Sequence, residues 1–365
     1  MEISPDLTLW RKKQIALLYY FSSNEYLEKL QSLIRNFEQY VTGLMQRAEA
    51  DGRDRFLVDR TWGRRNTSEN WSNCAWPFLA DFQLRTAEEI ADRATNKFFV
   101  TGSDECERGM SEYSLQWTTP DEERTLDAMF HEISMHALYI DTTMDRSQGR
   151  SCWKDSIFAF AWEKHSTKFP RLPKMRLRND IVAEHDRIPP LTGVYLPQKE
   201  EQGAPQFAWT GTKEGALMEC STFNQIGLDA LRTVGRRDLW FNKQKMYAFA
   251  MSPKYRAMFA EECCPDGLPE PALAPGAVSR EAFIGRPCKW TFVEIIEGEF
   301  EDYDDNDIPG VIHKHVRVVG GEVCPEDGFY MTPAKLDSYR HFKAGEIMPD
   351  FANPNWMTIW QLIDE

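Results

Sequence analysis

Between Asn24 and Ala50 apolar residues recur at the spacing of an α-helix, and an extended chain would scatter them over both of its faces. Tyr26, Leu27, Leu30, Leu33, Ile34, Phe37, Tyr40, Val41 and Leu44 fall on one stripe, and Ser23 stands where an N-cap belongs. A helix of that length must lay its apolar face against other helices. Candidates follow in order. Residues Pro77 to Phe98 resume the pattern. Thr119-Pro120-Asp121-Glu122 combines a threonine cap, a proline at the first helical position and a glutamate at the third, so a helix is expected from there to about Thr142. Another is expected over Cys152 to Lys168. Near the N-terminus, Arg11, Lys12 and Lys13 precede the apolar Ile15–Phe21. That stretch is far short of the roughly 20 residues that span a bilayer. No small-x-small cleavage site follows it, so it reads as an amphipathic first helix rather than a signal peptide.

The composition then changes. Lys164, Lys168, Arg171, Lys174, Arg176 and Arg178 occur with no acid among residues 164–178, and Pro170, Pro173, Pro189 and Pro190 punctuate the same region. This pattern predicts a basic, proline-containing linker over residues 166–190. A phosphate-binding arm is the alternative, disfavoured by the charge of the whole chain. Beyond the linker, Thr192–Leu196 and Gln206–Trp209 predict short strands. Thr222 and Gln225 suggest a capping box before a helix that ends at Gly235, with further helices from about Asn242 and from Ser252-Pro253. Lys289–Ile296, Val311–Val319, Phe329–Met331 after the Asp327-Gly328 turn, and Met357–Ile363 predict strands. The expected fold is α+β: a mostly helical domain over residues 1–165, then a mixed domain over 191–365 ending in a small antiparallel β module, with an acidic, β-rich end at 288–365.

Charge narrows the function classes. Lys and Arg number 43 against 57 Asp and Glu, a net charge of −14. Direct binding to nucleic acid or to an anionic membrane is disfavoured, because both draw affinity from neutralised phosphates. The excess is uneven, since residues 289–365 hold six basic residues against sixteen acids. It is densest at Glu294, Glu297, Glu299, Glu301, Asp302, Asp304, Asp305 and Asp307. These carboxylates form either a solvated loop between strands or an electrostatic docking surface for a basic partner. Asp302-x-Asp304-x-Asn306 also matches the first half of a calcium loop. However, Asp307 occupies the position of the required glycine and His313 that of the bidentate glutamate.

No enzyme motif stands out. His131 and His136 are five apart, which puts them about 140° apart around a helix, not the about 40° of a zinc-protease pair. His313 and His315 alternate on one expected strand face, with Cys288 and Cys324 as conceivable co-ligands, but the spacing matches no zinc site. The eight cysteines are thinly spread without a C-x-x-C, which fits free thiols better than a disulfide framework. Neither G-x-S-x-G, a P-loop nor G-x-G-x-x-G occurs. Phe329, Tyr330, Tyr339, Phe342, Phe351, Trp356 and Trp360 are expected to build the core of the terminal β module, with one or two as interface anchors.

Several stretches resemble one family. Phe207–Gly211, Ser221-Thr222-Phe223-Asn224-Gln225-Ile226-Gly227-Leu228-Asp229-Ala230-Leu231 and Val234–Trp240 form one part. Gly321-Glu322-Val323-Cys324-Pro325-Glu326-Asp327-Gly328-Phe329-Tyr330-Met331-Thr332-Pro333-Ala334, Ser338–Pro349 and Thr358-Ile359-Trp360-Gln361 form another. Together they are similar to the immunity protein 71 and immunity protein 72 families of bacterial polymorphic-toxin and type VI secretion systems. The likeness spans about residues 190–365. Phe329-Tyr330 departs from it, standing where a tryptophan-rich pair is expected. The resemblance implies a non-enzymatic protein that binds a cognate toxin and protects the producing cell. The absence of a signal peptide and the free thiols add the expectation of a cytoplasmic protein, and the expected mechanism is stoichiometric inhibition without a cofactor. The expected toxin acts in the cytoplasm, as a nuclease does, and Glu294–Asp307 could enter its basic cleft as a phosphate mimic. Two other classes remain. One is an adaptor or chaperone that loads an effector for secretion. The other is a hydrolase with a dispersed site around His131 or His313.

Overall fold

The computed structural model describes the chain except residues 1–6, 54–56, 60–62, 66–70, 113–114, 148–150, 304–316, 326, 333–337, 339, 352–357 and 364–365. The fold is α+β, and the chain divides into a unit of residues 1–302 and a unit of residues 303–365. No helix among the described residues is long and apolar enough to cross a membrane.

The first unit begins with helices α1 (Leu9–Phe21) and α2 (Asn24–Ala50). The Ser23 hydroxyl caps α2 by accepting from the Tyr26 N–H at 3.2 Å. The expected stripe is buried from Tyr26 through Ala48, except that Tyr40 is not part of the buried set. It packs on α3 (Trp76–Arg93) and, beyond α4 (Ser103–Ser111), on α5 (Pro120–Met144). The capping box at the head of α5 forms as expected, with Thr119 and Glu122 exchanging side-chain and backbone hydrogen bonds. Helix α6 (Asp155–His165) ends in a single 3-10 turn at Ser166–Lys168. Between α2 and α3, β1 (Leu57–Asp59) pairs antiparallel with β2 (Gly63–Arg65).

Helix α1 departs from the expected amphipathic form, because it is buried nearly all round. Ile15, Leu17, Leu18 and Phe21 are inside, and so are Arg11 and Lys13. Long cationic side chains can bury their stems and find partners for their heads. Arg11 donates to the carbonyls of Glu200 and Glu201 at 2.8 and 2.9 Å. Lys13 lies 4.9 Å from the Trp162 ring centroid. The Tyr19 hydroxyl donates to the Val293 carbonyl at 2.5 Å and accepts from the Val194 N–H at 3.3 Å. Between α1 and α2, Arg93 donates to the Ser22 carbonyl at 3.0 Å, one that the end of α1 leaves open, and to the Ser23 carbonyl at 2.6 Å, which also accepts the first bond of α2 from Leu27 N–H. The buried Asp155 carboxylate gathers Trp10, Trp240 and Arg236. Helices and strands therefore share one unit, and no boundary falls near residue 165.

The expected linker is mostly a strand. β3 (Leu172–Glu184) pairs antiparallel along its length with β8 (Lys289–Glu301). β8 in turn pairs with β4 (Gly193–Pro197), and β4 with β5 (Gln206–Ala208), giving the order β3-β8-β4-β5. A second pair joins β6 (Cys220–Phe223) to β7 (Phe283–Arg286). Between them run α7 (Gln225–Val234), α8 (Lys243–Ala250), α9 (Arg256–Cys263) and α10 (Ala274–Glu281), packed around Trp240, Met246, Phe259 and Val278. The cap of α7 is Asn224, whose side chain accepts from the N–H groups of Ile226 and Gly227, while Thr222 belongs to β6. Asn242 caps α8 as expected.

The second unit is a four-stranded antiparallel sheet in the order β11-β10-β12-β9, made of β9 (Arg317–Val319), β10 (Gly328–Met331), β11 (Arg340–Phe342) and β12 (Ile359–Ile363). Val318, Cys324, Tyr330, Phe342, Met348 and Trp360 form its core, with Phe351 against them. Of the aromatic residues expected there, Phe329 is half-buried beside His341, and Tyr339 and Trp356 lie outside the described residues.

Candidate interaction surface

The dense acidic stretch begins as a strand. From Lys289 to Val293 β8 is sandwiched between β3 and β4, but beyond Val293 only β3 accompanies it. Two irregularities bend this two-stranded ribbon. Pro173 opposes Phe300 while Met175 opposes Ile295, so residues 296–299 bulge from β8, with Gly298 at φ +74°. On β3, residues 179–181 bulge between Arg178 and Val182.

Alternation along β3 carries Lys174, Arg176 and Arg178 to one face, and the β8 acids meet them there. Arg176 stands directly opposite Glu294 and holds its carboxylate through Nε at 2.9 Å and through Nη2. Arg178 adds a longer contact to Glu294 at 3.4 Å and pairs with Asp180 at 2.7 Å. Lys174 reaches Glu299 at 2.9 Å, and Arg171 reaches Asp302 at 2.8 Å. Glu301 pairs with Lys12 of α1 at 2.7 Å. The titration shifts have the corresponding signs. Hydrogen bonding from Arg176 lowers the Glu294 carboxyl, Arg178 holds Asp180 down at about 2, and Glu299 raises the Lys174 ammonium.

Of the eight candidate carboxylates, Glu294, Glu299, Glu301 and Asp302 therefore have cationic partners, and the stretch to Glu301 is a paired strand, not a loop between strands. Glu297 lies exposed in the bulge. Asp304, Asp305 and Asp307 lie outside the described residues, as do His313, His315 and the rest of the expected calcium loop after Tyr303. The missed signal was the spacing of Lys174, Arg176 and Arg178 at alternate positions. That is the period of a strand with one charged face, not of a linker.

The two α5 histidines part as their spacing predicts. His131 is exposed, whereas His136 stacks on the Tyr26 ring with centroids 3.7 Å apart. His136 Nε2 donates to the Tyr26 carbonyl at 2.7 Å. Burial lowers the imidazoles of His136 and of nearby His165 to about 4 each. No group of three or more His, Cys, Asp or Glu among the described residues is arranged to hold a metal ion. Two buried carboxylates are structural in their contacts. Glu89 pairs with Arg93 at 2.8 Å, and Asp141 accepts from the Thr101 N–H, the Thr101 hydroxyl and the Ser103 hydroxyl. Burial raises both carboxyls, Glu89 to about 7.

In the second unit carboxylates have a different setting. Residues 322–324 run antiparallel to 346–348, with a bridge between Val323 and Ile347 and backbone bonds from Cys324 N–H to the Glu346 carbonyl and from Met348 N–H to the Glu322 carbonyl. Cys324 and Met348 point into the core, and Val323 and Ile347 point out, 58% and 69% exposed. The carboxylates around this pair accept from turn amides: Glu322 from Val319 N–H at 3.4 Å, Glu346 from Lys343 N–H at 3.0 Å and Asp327 from Ala344 N–H at 2.6 Å. Gly345 makes the turn at φ +91°. Among the described residues, Glu322, Asp327 and Glu346 have no cationic partner. Compared with family models, with curated proteins and with solved structures, the chain has no match.

Proposed function

We propose that the chain is an immunity protein, which binds a cognate antibacterial toxin in the cytoplasm and neutralises it by stoichiometric inhibition. One observation carries most of the reading: the stretches that resemble the immunity families are framework in both units. Phe207 and Ala208 belong to β5, Trp209 is buried beside them, Ser221–Phe223 lie in β6, and Ile226 and Leu231 pack α7 onto its core. Tyr330, Phe342, Met348 and Trp360 form the centre of the second unit. A likeness written in buried residues is a likeness of fold, and function then resides in what the fold displays. Residues 303–365 contain eleven Asp and Glu against five Lys and Arg. A toxin that handles nucleic acid needs a basic cleft, and surplus carboxylates on the inhibitor accelerate and orient its approach. Inhibition then follows from covering that cleft or from blocking a movement the toxin needs.

Growth of cells expressing the neighbouring toxin gene, with and without this chain, tests the proposal, together with co-purification of the two proteins. Rescue and a complex of fixed stoichiometry are expected. A complex without rescue would indicate an adaptor, and the absence of both would refute binding altogether.

A further inference from the structure

We infer that the toxin docks on the 322–324/346–348 ladder of the second unit, with Val323 and Ile347 as the apolar centre and Glu322, Asp327 and Glu346 as its rim. This rests on the immunity reading and assigns it a surface. Three features favour this ladder over the β3–β8 ribbon.

Val323 and Ile347 are direct cross-strand partners, 58% and 69% exposed, so the two side chains form one apolar step that their own unit leaves uncovered. Core packing already has its residues in Cys324 and Met348, one position further along each strand. The surrounding carboxylates are held by backbone N–H groups, which fix their direction while leaving their charge uncompensated. On the ribbon the same residue type is matched by Arg171, Lys174, Arg176 and Lys12, so it offers a partner little net field.

The ladder therefore fits a basic protein surface in which Lys or Arg side chains flank a shallow apolar pocket. An apolar centre with a charged rim is also how protein interfaces divide anchoring from orientation.

The test uses the full chain and a catalytically inactive form of the toxin encoded beside it, with affinity measured at low and high salt. The double substitution Val323→Ser with Ile347→Ser is expected to weaken binding about tenfold or more at either salt. Glu322→Gln with Glu346→Gln keeps an oxygen to accept the turn N–H groups, so the fold is retained. It is expected to slow association at low salt and to flatten the salt dependence. Glu294→Gln with Glu299→Gln, on the ribbon, is expected to bind as the unaltered chain does. If both ladder variants bind like the unaltered protein, or if the ribbon variant alone weakens binding, the assignment of this surface is overturned while the immunity reading stands. If the unaltered chain neither binds nor inhibits the toxin, the immunity reading fails, and this assignment with it.

Discussion

The β3–β8 ribbon and the 322–324/346–348 ladder are both antiparallel pairs with carboxylates on or beside them, yet they dispose of charge in opposite ways. On the ribbon, Glu294, Glu299 and Asp302 face Arg176, Lys174 and Arg171 across or along the register, and the field closes on itself. On the ladder, Glu322, Glu346 and Asp327 are tied to peptide N–H groups, which supply direction and a partial dipole but no counter-charge. A local density of acids thus says little about the field a partner meets until the strand opposite is known.

The comparison assumes that each region has its own support, and the largest expected effect tests that. Trp360 is buried in the centre of the second unit and donates from Nε1 to the Pro349 carbonyl at 2.7 Å. Trp360→Ala should cost about 3–5 kcal/mol of that unit's stability. Amide exchange should show protection lost in β9–β12 and retained along β3–β8. Loss on both would mean that the regions do not stand on separate cores.

Acid should separate them next. His136 and His165 are buried neutral in the first unit, each lowered from 6.5 to about 4. The unfolded chain therefore takes up protons first, and stability falls as pH drops from about 6.5 to about 4, then levels off. Each histidine contributes at most ~3 kcal/mol to this loss. Glu89 works in the opposite sense, because its raised carboxyl favours the folded state at low pH. Denaturant titrations of the unaltered chain and of His136→Phe, at pH 7 and pH 4.5, isolate the histidine contribution. An equal acid loss in both would exclude His136 as its source.

A smaller effect probes the bulge. Gly298 sits at φ +74° with open space where a Cβ would stand, so Gly298→Ala meets no clash and only backbone strain. A destabilisation of about 1 kcal/mol is expected, measured by denaturant unfolding. The smallest change is a charge reversal. Arg176→Glu should lower the melting temperature slightly at low salt, and adding Glu294→Arg should restore it. Both differences should fade at high salt, because exposed pairs are screened. A salt-independent change would mean that Arg176 acts through packing rather than charge.

What could be read directly from the chain was what is encoded locally. The stripe and cap of α2, the Thr119–Glu122 box of α5 and the Asn242 cap of α8 all need only a few neighbouring residues. A segment whose meaning lies far away in the chain is not legible in this way. β3 looked like a linker because its prolines and bases are adjacent in sequence, while the acids that explain the bases begin at Glu294. Pro173 then serves as an edge residue that needs no ladder N–H. The division between units after Asp302 was hidden because it falls inside the acidic run, where composition does not change. The N-cap of α7 was misplaced by two residues, because Thr222 carries a β-branched side chain that suits β6 as well as it suits a cap. The acids of the candidate site were legible as a group, but their division into matched and unmatched sets was not.

The Tyr19 hydroxyl, which bridges β4 and β8, also sets a timetable. Its partner Val293 lies 274 positions downstream. At about 5–20 residues per second, a ribosome needs roughly 15–55 s to deliver that partner after Tyr19 emerges. During that interval the Tyr19 hydroxyl lacks its acceptor, although β3, β4 and β5, against which α1 also packs, have already been made. Translation stalled before β8 would yield a nascent chain whose sheet lacks the strand that joins β3 to β4.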